Sequence, residues 1–367
     1  MKFTAAKSDL MNGISIAIRA VPSHTTMNIL ECILIQARGG DLTLIANDME
    51  MGIETHVKAG VEESGLIAVE AKMFSEIIRR SPEEIIVFES DSNYNIRISS
   101  GKAKFSIGGR SGEEFTALPS VEMDDSITLS QFTLKSLIQE TIFSISNNEN
   151  SKVMTGELFE IREDILRVVA LDGHRIAIRR VALKEAFDNK KVIVPGKTLQ
   201  DISRILSGEM DELVKIYFSK NHIVFEIPGT RLVSRLIDGE YYNVDQMIST
   251  DYQTKVTVNR SMLMSCADRA ALFVREGDKK PIIFDIEDQE MQLSIDSPLG
   301  SMSENLDIKK EGHDIVIGFN PRFMLDALKA ISDEEVSIYL MNPKAPCFIK
   351  NDEETYTYLV LPVNFVR

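Results

Sequence analysis

Three stretches of this 367-residue chain, about a third of its length apart, are written in one grammar. In residues 191–239 a β-branched run (Val192, Ile193, Val194) meets Pro195-Gly196, after which Leu199, Ile202, Ile205 and Leu206 recur at the spacing of a helix with one apolar face. Short β-rich runs follow at 213–218, 223–227 and 230–236, punctuated by Lys220-Asn221 and Pro228-Gly229 as turns. The same order of strand, helix and three strands reads from Gly65 to Gly109 and from His313 to Val363. With Lys72, Lys197 and Pro321 as helix starts the spacings are 125 and 124 residues, the period of a repeated domain rather than of a solenoid.

Each repeat also has a first half. Phe3-Thr4, Ile127-Thr128 and Val256-Thr257 end short strands, and Leu10, Leu134 and Leu263 open helices seven residues after the first of each pair. Strand pairs follow at 29–36 with 42–46, 158–162 with 166–170, and 282–286 with 291–295, each succeeded by a turn at Asp48, Asp172 or Ser297-Pro298 and a further strand. The fold class is therefore α+β: three repeated domains, each with two helices packed on two antiparallel sheets. Gly112-Glu113-Glu114-Phe115 and Gly239-Glu240-Tyr241-Tyr242, 127 residues apart, mark the joints, giving domains at 1–123, 124–251 and 252–367.

The chain carries no apolar run near the roughly 18 residues a membrane span needs and no secretory signal pattern at its start, so a cytoplasmic location with no membrane partner is expected. Cys32, Cys266 and Cys347 are too few and too far apart for a disulfide framework or a metal knuckle. A net charge of −15 argues against tight nucleic-acid binding, since the global field repels phosphate. The average hides a contrast, because the six predicted helices (7–19, 72–80, 134–145, 197–207, 260–275 and 322–331) sum to +7. On any one helix, Lys and Arg are ordinary helix formers on a solvated face.

The most catalytic-looking stretch is Leu171-Asp172-Gly173-His174-Arg175, where Asp172 could orient His174 as a general base. Its plainer reading is a turn made by Asp172 and Gly173. No GxSxG, HExxH or GxxxxGK[ST] motif occurs, and His24, His56, His222 and His313 stand alone, so no catalytic residue, metal site or cofactor is assigned. An enzyme built on Asp172 and His174, and a scaffold with no DNA function, remain the alternatives.

The N-terminal MKFT, the LDGHRIAIRR stretch, LIDGEYYNVDQMI and the TYLVLPV near the C-terminus together closely resemble the bacterial DNA polymerase III beta subunits, the replicative sliding clamps. The resemblance spans essentially the whole chain. It implies a non-enzymatic processivity factor: a head-to-tail homodimer closing as a six-domain ring around double-stranded DNA, with helices lining the hole. It places Arg19, His24, Arg79, Arg80, Arg204, Arg269 and Lys329 toward DNA, with Asn148 and Lys152 in a loop that also faces it.

For partners it implies the replicative polymerase alpha subunit, the clamp loader and repair proteins that share a short clamp-binding motif. Their pocket, by position, comprises Met154, Leu171, Gly173, His174, Arg175 and Ile176 from the central repeat. Tyr242, Gln246 and Met247 come from the joint, and Val360, Leu361, Pro362 and Val363 from the C-terminal strand. Gly173 is expected to let the backbone approach, and Arg175 to have its guanidinium held by the loop. Many relatives carry Thr, Pro and Arg where Leu171, Tyr242 and Gln246 stand, and an Arg-Leu tail where this chain ends Asn364-Phe365-Val366-Arg367. At the dimer seam the resemblance sets Lys102 and Lys104 opposite the acidic side around Glu304, with Leu272 and Phe273 as apolar anchors.

Overall fold

The computed structural model describes residues 1–123, 126–275 and 280–365. The first domain boundary expected from sequence therefore falls at residues outside the described set, as do Val366 and Arg367 of the tail. Six α-helices are present among the described residues: α1 (Lys7–Ala17), α2 (Ala71–Arg80), α3 (Gln131–Gln139), α4 (Gly196–Ile205), α5 (Arg260–Ala271) and α6 (Pro321–Lys329). Local chemistry fixes their starts. Glu70 accepts hydrogen bonds from the Lys72 and Met73 amides at α2, and Asn259 accepts from Met262 at α5. At α6, Asn320 accepts from Arg322, and Pro321 occupies the first turn, where a missing N–H costs nothing.

The described chain forms two compact units, residues 1–132 with 201–236, and residues 133–200 with 237–367, so the central repeat contributes to both. In the first unit Lys2–Ala6 pairs with Ala59–Glu63 and Ile85–Ser90, and the sheet continues through Asn95–Ser100 to an edge at Ala103–Gly108. Its second sheet has nine strands because Met51–Val57 of the first repeat pairs antiparallel with Thr230–Arg235 of the second. Ile53 lies opposite Leu232, and the buried hydroxyls of Thr55 and Thr230 meet at 2.7 Å across the seam. α1 packs on α2, and Phe88 sits between Phe3 (stacked, 4.8 Å) and Phe74 (edge-on, 6.1 Å).

The second unit repeats the device. Arg175–Pro195 pairs with Tyr356–Val360, joining the second repeat to the third in a seven-stranded sheet, with Ala177 opposite Tyr358. A four-stranded sheet runs from an edge at Gly300–Asp307 through Glu290–Ser297 and Ile282–Glu287 to Ile315–Phe319. α5 and α6 pack together, and Leu263, Cys266, Phe284, Phe319, Met324 and Leu328 are among the side chains of one buried cluster.

Several details differ from the periodicity reading. The helix read at 134–145 is α3, Gln131–Gln139, followed by a 3-10 turn at Ile142–Ser144, and the helix read at 260–275 ends at Ala271. The separate strands expected at 158–162 and 166–170 are one strand, Gly156–Leu171, and the run at 192–194 is the end of a long partner, Arg175–Pro195. Glu163, at φ +55, takes up the turn inside the ladder, where the register shifts. Ala59–Glu63 and Lys309–Gly312 are extra sheet strands that alternation alone did not mark.

The three cysteines are free and buried, and burial pushes the Cys266 and Cys347 thiols up to about 12. Glu157 is a fully buried carboxyl in the second unit, pushed well above the usual carboxylate range by loss of water, which Thr141 only partly offsets. Unfolded, it ionises near pH 4.3; folded, it keeps its proton to higher pH. Over that window the folded state binds more protons than the unfolded one, so stability falls as pH rises. Glu157→Gln should therefore melt higher than the parent at pH 7.5, with the gap closing as pH falls toward about 4; thermal melts across that range read it, and a gap that widens on acidification would contradict the assignment.

Candidate functional site

The pairing of Arg175–Pro195 with Tyr356–Val360 brings the Asp172 turn beside the C-terminal strand, and the Leu361 amide donates to the His174 carbonyl at 2.9 Å. Alternation then sorts the side chains. Tyr356, Tyr358 and Val360 enter the large core, while Leu359 faces the other way, onto Val169, Leu171, Ile176 and Ile178. On that second face lies a cleft of about 420 Å³, lined by Met154, Leu171, Gly173, His174, Arg175, Ile176, Tyr242, Met247, Pro346, Leu359 and Leu361. Its surface is mostly apolar, and Tyr242, Met247 and Leu361 stay well exposed at its rim. An apolar cleft with exposed flexible side chains suits an extended apolar segment of another protein.

The turn is built around Asp172. Its Oδ1 accepts from the amides of His174 (2.9 Å) and Arg175 (3.1 Å), and its Oδ2 accepts from Arg175 Nε at 2.9 Å. The remaining Arg175 donors go to Asp326 Oδ2 (2.6 Å) and to the Phe143 carbonyl, while the guanidinium carbon lies 4.4 Å from the Phe323 ring centre. Asp172 thus holds backbone and arginine, and the His174 ring stacks on Phe323 at 6.1 Å. Gly173 has φ +88 with open space where a Cβ would sit, so the turn uses it for its left-handed backbone.

Four residues placed in the pocket by sequence do not line it. Val360 points into the core on the opposite face, as strand alternation dictates. Gln246 ends the short turn Val244–Gln246 with its side chain exposed, and Pro362 and Val363 run past the cleft, the Val363 amide donating to Gly318 at 2.8 Å. Pro346 and Leu359 were missed. Leu359 was recoverable, since it shares the parity of Leu361 along the strand; Pro346 comes from a loop that carries no such signal.

The basic residues gather at helix ends. Arg79 and Arg80 occupy the last turn of α2, Arg204 that of α4, Arg269 that of α5 and Lys329 that of α6, positions where the helix dipole itself favours cations. Arg19 follows α1 in a 3-10 turn, 3.6 Å from Asp201; Arg204 is 3.9 Å from the same carboxylate. Arg79 and Arg80 both reach Glu76, whose carboxyl Arg79 holds below the usual range. Arg269 forks onto Glu304. His24, Asn148, Lys152 and Lys329 are exposed. The two edge strands have opposite character: Lys102 and Lys104 flank and enter Ala103–Gly108, whereas Gly300–Asp307 carries Glu304 and Asp307. Beside the latter's helix partner α5, Leu272 is 76% exposed, and Phe273 packs partly against the core.

Comparison with known proteins adds an independent line. The family description "DNA polymerase III beta subunit, N-terminal domain" matches residues 1–119, its central domain 128–243 and its C-terminal domain 245–364. The beta sliding clamp of Staphylococcus epidermidis is 31% identical over 99% of both chains. A crystal structure of a putative DNA polymerase III beta subunit from Eubacterium rectale is 57% identical, covers 100% of this chain and 99% of its own, and superposes with a TM-score of 0.96. The DNA polymerase sliding clamp of Bacillus subtilis is 31% identical over 100% of both chains, also with a TM-score of 0.96.

The Asp172 turn yields a direct check. Gly173→Val forces a β-branched residue into a left-handed conformation and should cost about 1–2 kcal/mol, while Gly173→Asn, which tolerates that region, should melt close to the parent. Equal destabilisation by both, measured by denaturant unfolding, would mean that space and not backbone conformation is limiting.

Proposed function

This chain belongs to the family of DNA polymerase III beta subunits and is a DNA sliding clamp of replication, and from that premise we propose how its parts divide the work. Three clamp domains, at 1–123, 124–251 and 252–367, are joined in the chain by two edge-to-edge strand pairings. The observation that carries the reading is what those pairings leave over. Met51–Val57 and the first part of Arg175–Pro195 are each the third strand of a repeat's first half, and each pairs with the last strand of the following repeat. In the third repeat that third strand is Gly300–Asp307, and in the first repeat the last strand is Ala103–Gly108; both are open edges among the described residues. A second copy satisfies them, twice, in a closed head-to-tail dimer, which also removes two templates for uncontrolled strand addition. Lys102 and Lys104 then meet the acidic strand of Glu304, and exposed Leu272 with Phe273 supplies apolar contact area.

Such a ring holds DNA by topology, so its phosphate contacts can be weak. Arg19, Arg79, Arg80, Arg204 and Arg269 already share carboxylates within the chain, so phosphate competes with internal partners at each; His24, Asn148, Lys152 and Lys329 add exposed polar contacts. The apolar cleft receives the clamp-binding motif of the replicative polymerase alpha subunit, and the clamp loader and repair proteins take turns at it. The chain performs no chemistry of its own and needs no cofactor. Asp172 spends both oxygens on the turn, which leaves the enzyme reading without an oriented base.

Light scattering should give the mass of a dimer, and clamp loaded by a cognate loader should stay on nicked circular DNA and run off the same DNA after linearisation. Leu272→Asp should shift the mass toward monomer and abolish retention on circles with a normal melting curve. A parent protein that is monomeric at micromolar concentration, or retained equally on both DNAs, would overturn the ring. A second arm concerns the basic helix ends: Arg79→Glu with Arg80→Glu should shorten retention on circles most at low salt, and unchanged retention would remove α2 from the DNA-facing set.

A further inference from the structure

Beside the apolar cleft the second unit holds a second one of about 460 Å³ with a different lining, and Tyr242 borders both. Its walls carry Arg162, Arg167 and Lys191 together with Glu160, Glu240 and Asp245. Glu160 is almost wholly buried and takes hydrogen bonds from Arg162 (2.8 Å), Lys191 (2.8 Å) and Arg167 Nη1 (3.2 Å). Burial pushes its carboxyl up, and Lys191 and Arg162 more than offset that, holding it below the usual range. Asp245 accepts from the same Arg167 Nη1 at 2.7 Å and from Arg162 at 3.4 Å.

Arg167 is the group this network does not satisfy. It is only 8% exposed, yet its side-chain ion pairs are made through Nη1, and Nε and Nη2 are buried with no hydrogen-bond partner among the described residues. Those two N–H groups form the side of the guanidinium that grips a carboxylate with two parallel hydrogen bonds. Leaving such donors buried and unmet costs more than a well-made bond gains. A second observation points the same way. Arg167 lies directly opposite Arg180 in the hairpin ladder, and like charges at paired positions on one face repel. That edge is shielded from water in the unliganded protein, so a carboxylate entering the cleft relieves both faults by drawing the guanidinium round on its flexible stem to present it.

The ladder also fixes where this group sits relative to the apolar cleft. Leu171 opposite Ile176 lines that cleft, Val169 opposite Ile178 comes next on the same face, and Arg167 opposite Arg180 follows. Four residues of strand separate Leu171 from Arg167, about 13 Å, the reach of about four extended peptide residues.

We propose that the cleft around Arg167 is a carboxylate subsite, contiguous with the apolar cleft through Tyr242, that takes a Glu or Asp side chain flanking the apolar motif of a bound partner. The inference rests on the reading of the apolar cleft as the partner-motif site. It divides recognition into two parts: apolar anchors that any partner supplies, and an acidic residue about four positions away that ranks partners against each other. Because the clamp as a whole is acidic, an acidic flank is on average disfavoured at its surface and is favoured where an arginine donor edge awaits it.

The test uses peptides with a Leu-Leu-Phe core, a four-residue Gly/Ser spacer at either end, and a terminal Glu-Glu or Gln-Gln, with binding to the full-length dimer read by calorimetry. One Glu-Glu peptide should bind about five- to tenfold tighter than its Gln-Gln twin, the gain shrinking with salt. Arg167→Lys, which keeps the charge on Glu160 and Asp245 but loses the fork, should erase the gain and leave the Gln-Gln affinity unchanged. Equal affinities of Glu-Glu and Gln-Gln peptides for the parent protein would overturn the subsite. If no peptide binds, the apolar-cleft reading falls, and a titration with acetate separates the two: a saturable shift of the Arg167 Nε–H resonance sustains the carboxylate site, and an unmoved resonance overturns it.

Discussion

Everything in this molecule hangs on backbone hydrogen bonds made between sheet edges of successive repeats. Met51–Val57 with Thr230–Arg235, and Arg175–Arg179 with Tyr356–Val360, turn what would be six separate small sheets into larger ones that run through the repeat boundaries. A strand edge is a row of unpaired donors and acceptors, and pairing it costs little entropy when both edges are already rigid. That is why the repeats do not coincide with the compact units: the central repeat contributes strands to the sheets of both. The same logic makes the unpaired edges at the two ends informative, because a chain that closes two such rows and leaves two of complementary charge has a self-complementary surface of the head-to-tail kind.

The charge pattern resolves an apparent conflict between an acidic protein and a polyanionic cargo. Tight binding through many free lysines would give a steep salt dependence and would hold DNA in place. Here most of the arginines at helix ends are neutralised by a carboxylate within reach, Glu76 for Arg79 and Arg80, Asp201 for Arg19 and Arg204, and Glu304 for Arg269. Exposed pairs of this type are worth little and exchange readily. If these arginines face DNA as proposed, a phosphate displaces the carboxylate and the carboxylate reclaims the arginine when the phosphate moves on, which suits sliding better than gripping.

What the residue pattern disclosed, and what it did not, follows from the range of the forces involved. The helices were legible because their apolar residues recur at three-and-four spacing; the caps Asn259 and Asn320, which satisfy amides two or three residues on at α5 and α6, are seen in the structure. The repeat was legible because hydrophobic periodicity survives sequence change. The merging of residues 158–162 and 166–170 into one strand was not, because it depends on Glu163 adopting a left-handed conformation that no glycine announces. The apolar cleft was largely legible through the family resemblance, and its errors are those of taking consecutive residues as neighbours. Val360 and Leu359 are adjacent in sequence and on opposite faces, and only alternation tells them apart. Pro346 needed the fold.

The Arg167 network shows what lies beyond both routes. Its members come from 160, 162, 167, 191 and 245, and nothing in their spacing groups them; the hairpin ladder does. A buried ion-pair cluster is a poor way to gain stability, since apolar residues of the same volume serve as well or better. Here three cations converge on two carboxylates and one of those cations keeps a donor edge unused, a pattern that stability alone does not reward. Position supplies the missing reason: the cluster stands two ladder steps from the apolar cleft proposed as the partner-motif site. Apolar contacts discriminate weakly among similar side chains, whereas a charged group that must be paired to be buried discriminates strongly. If the proposed partners share the apolar cleft, that second kind of contact close to the first is what tells them apart.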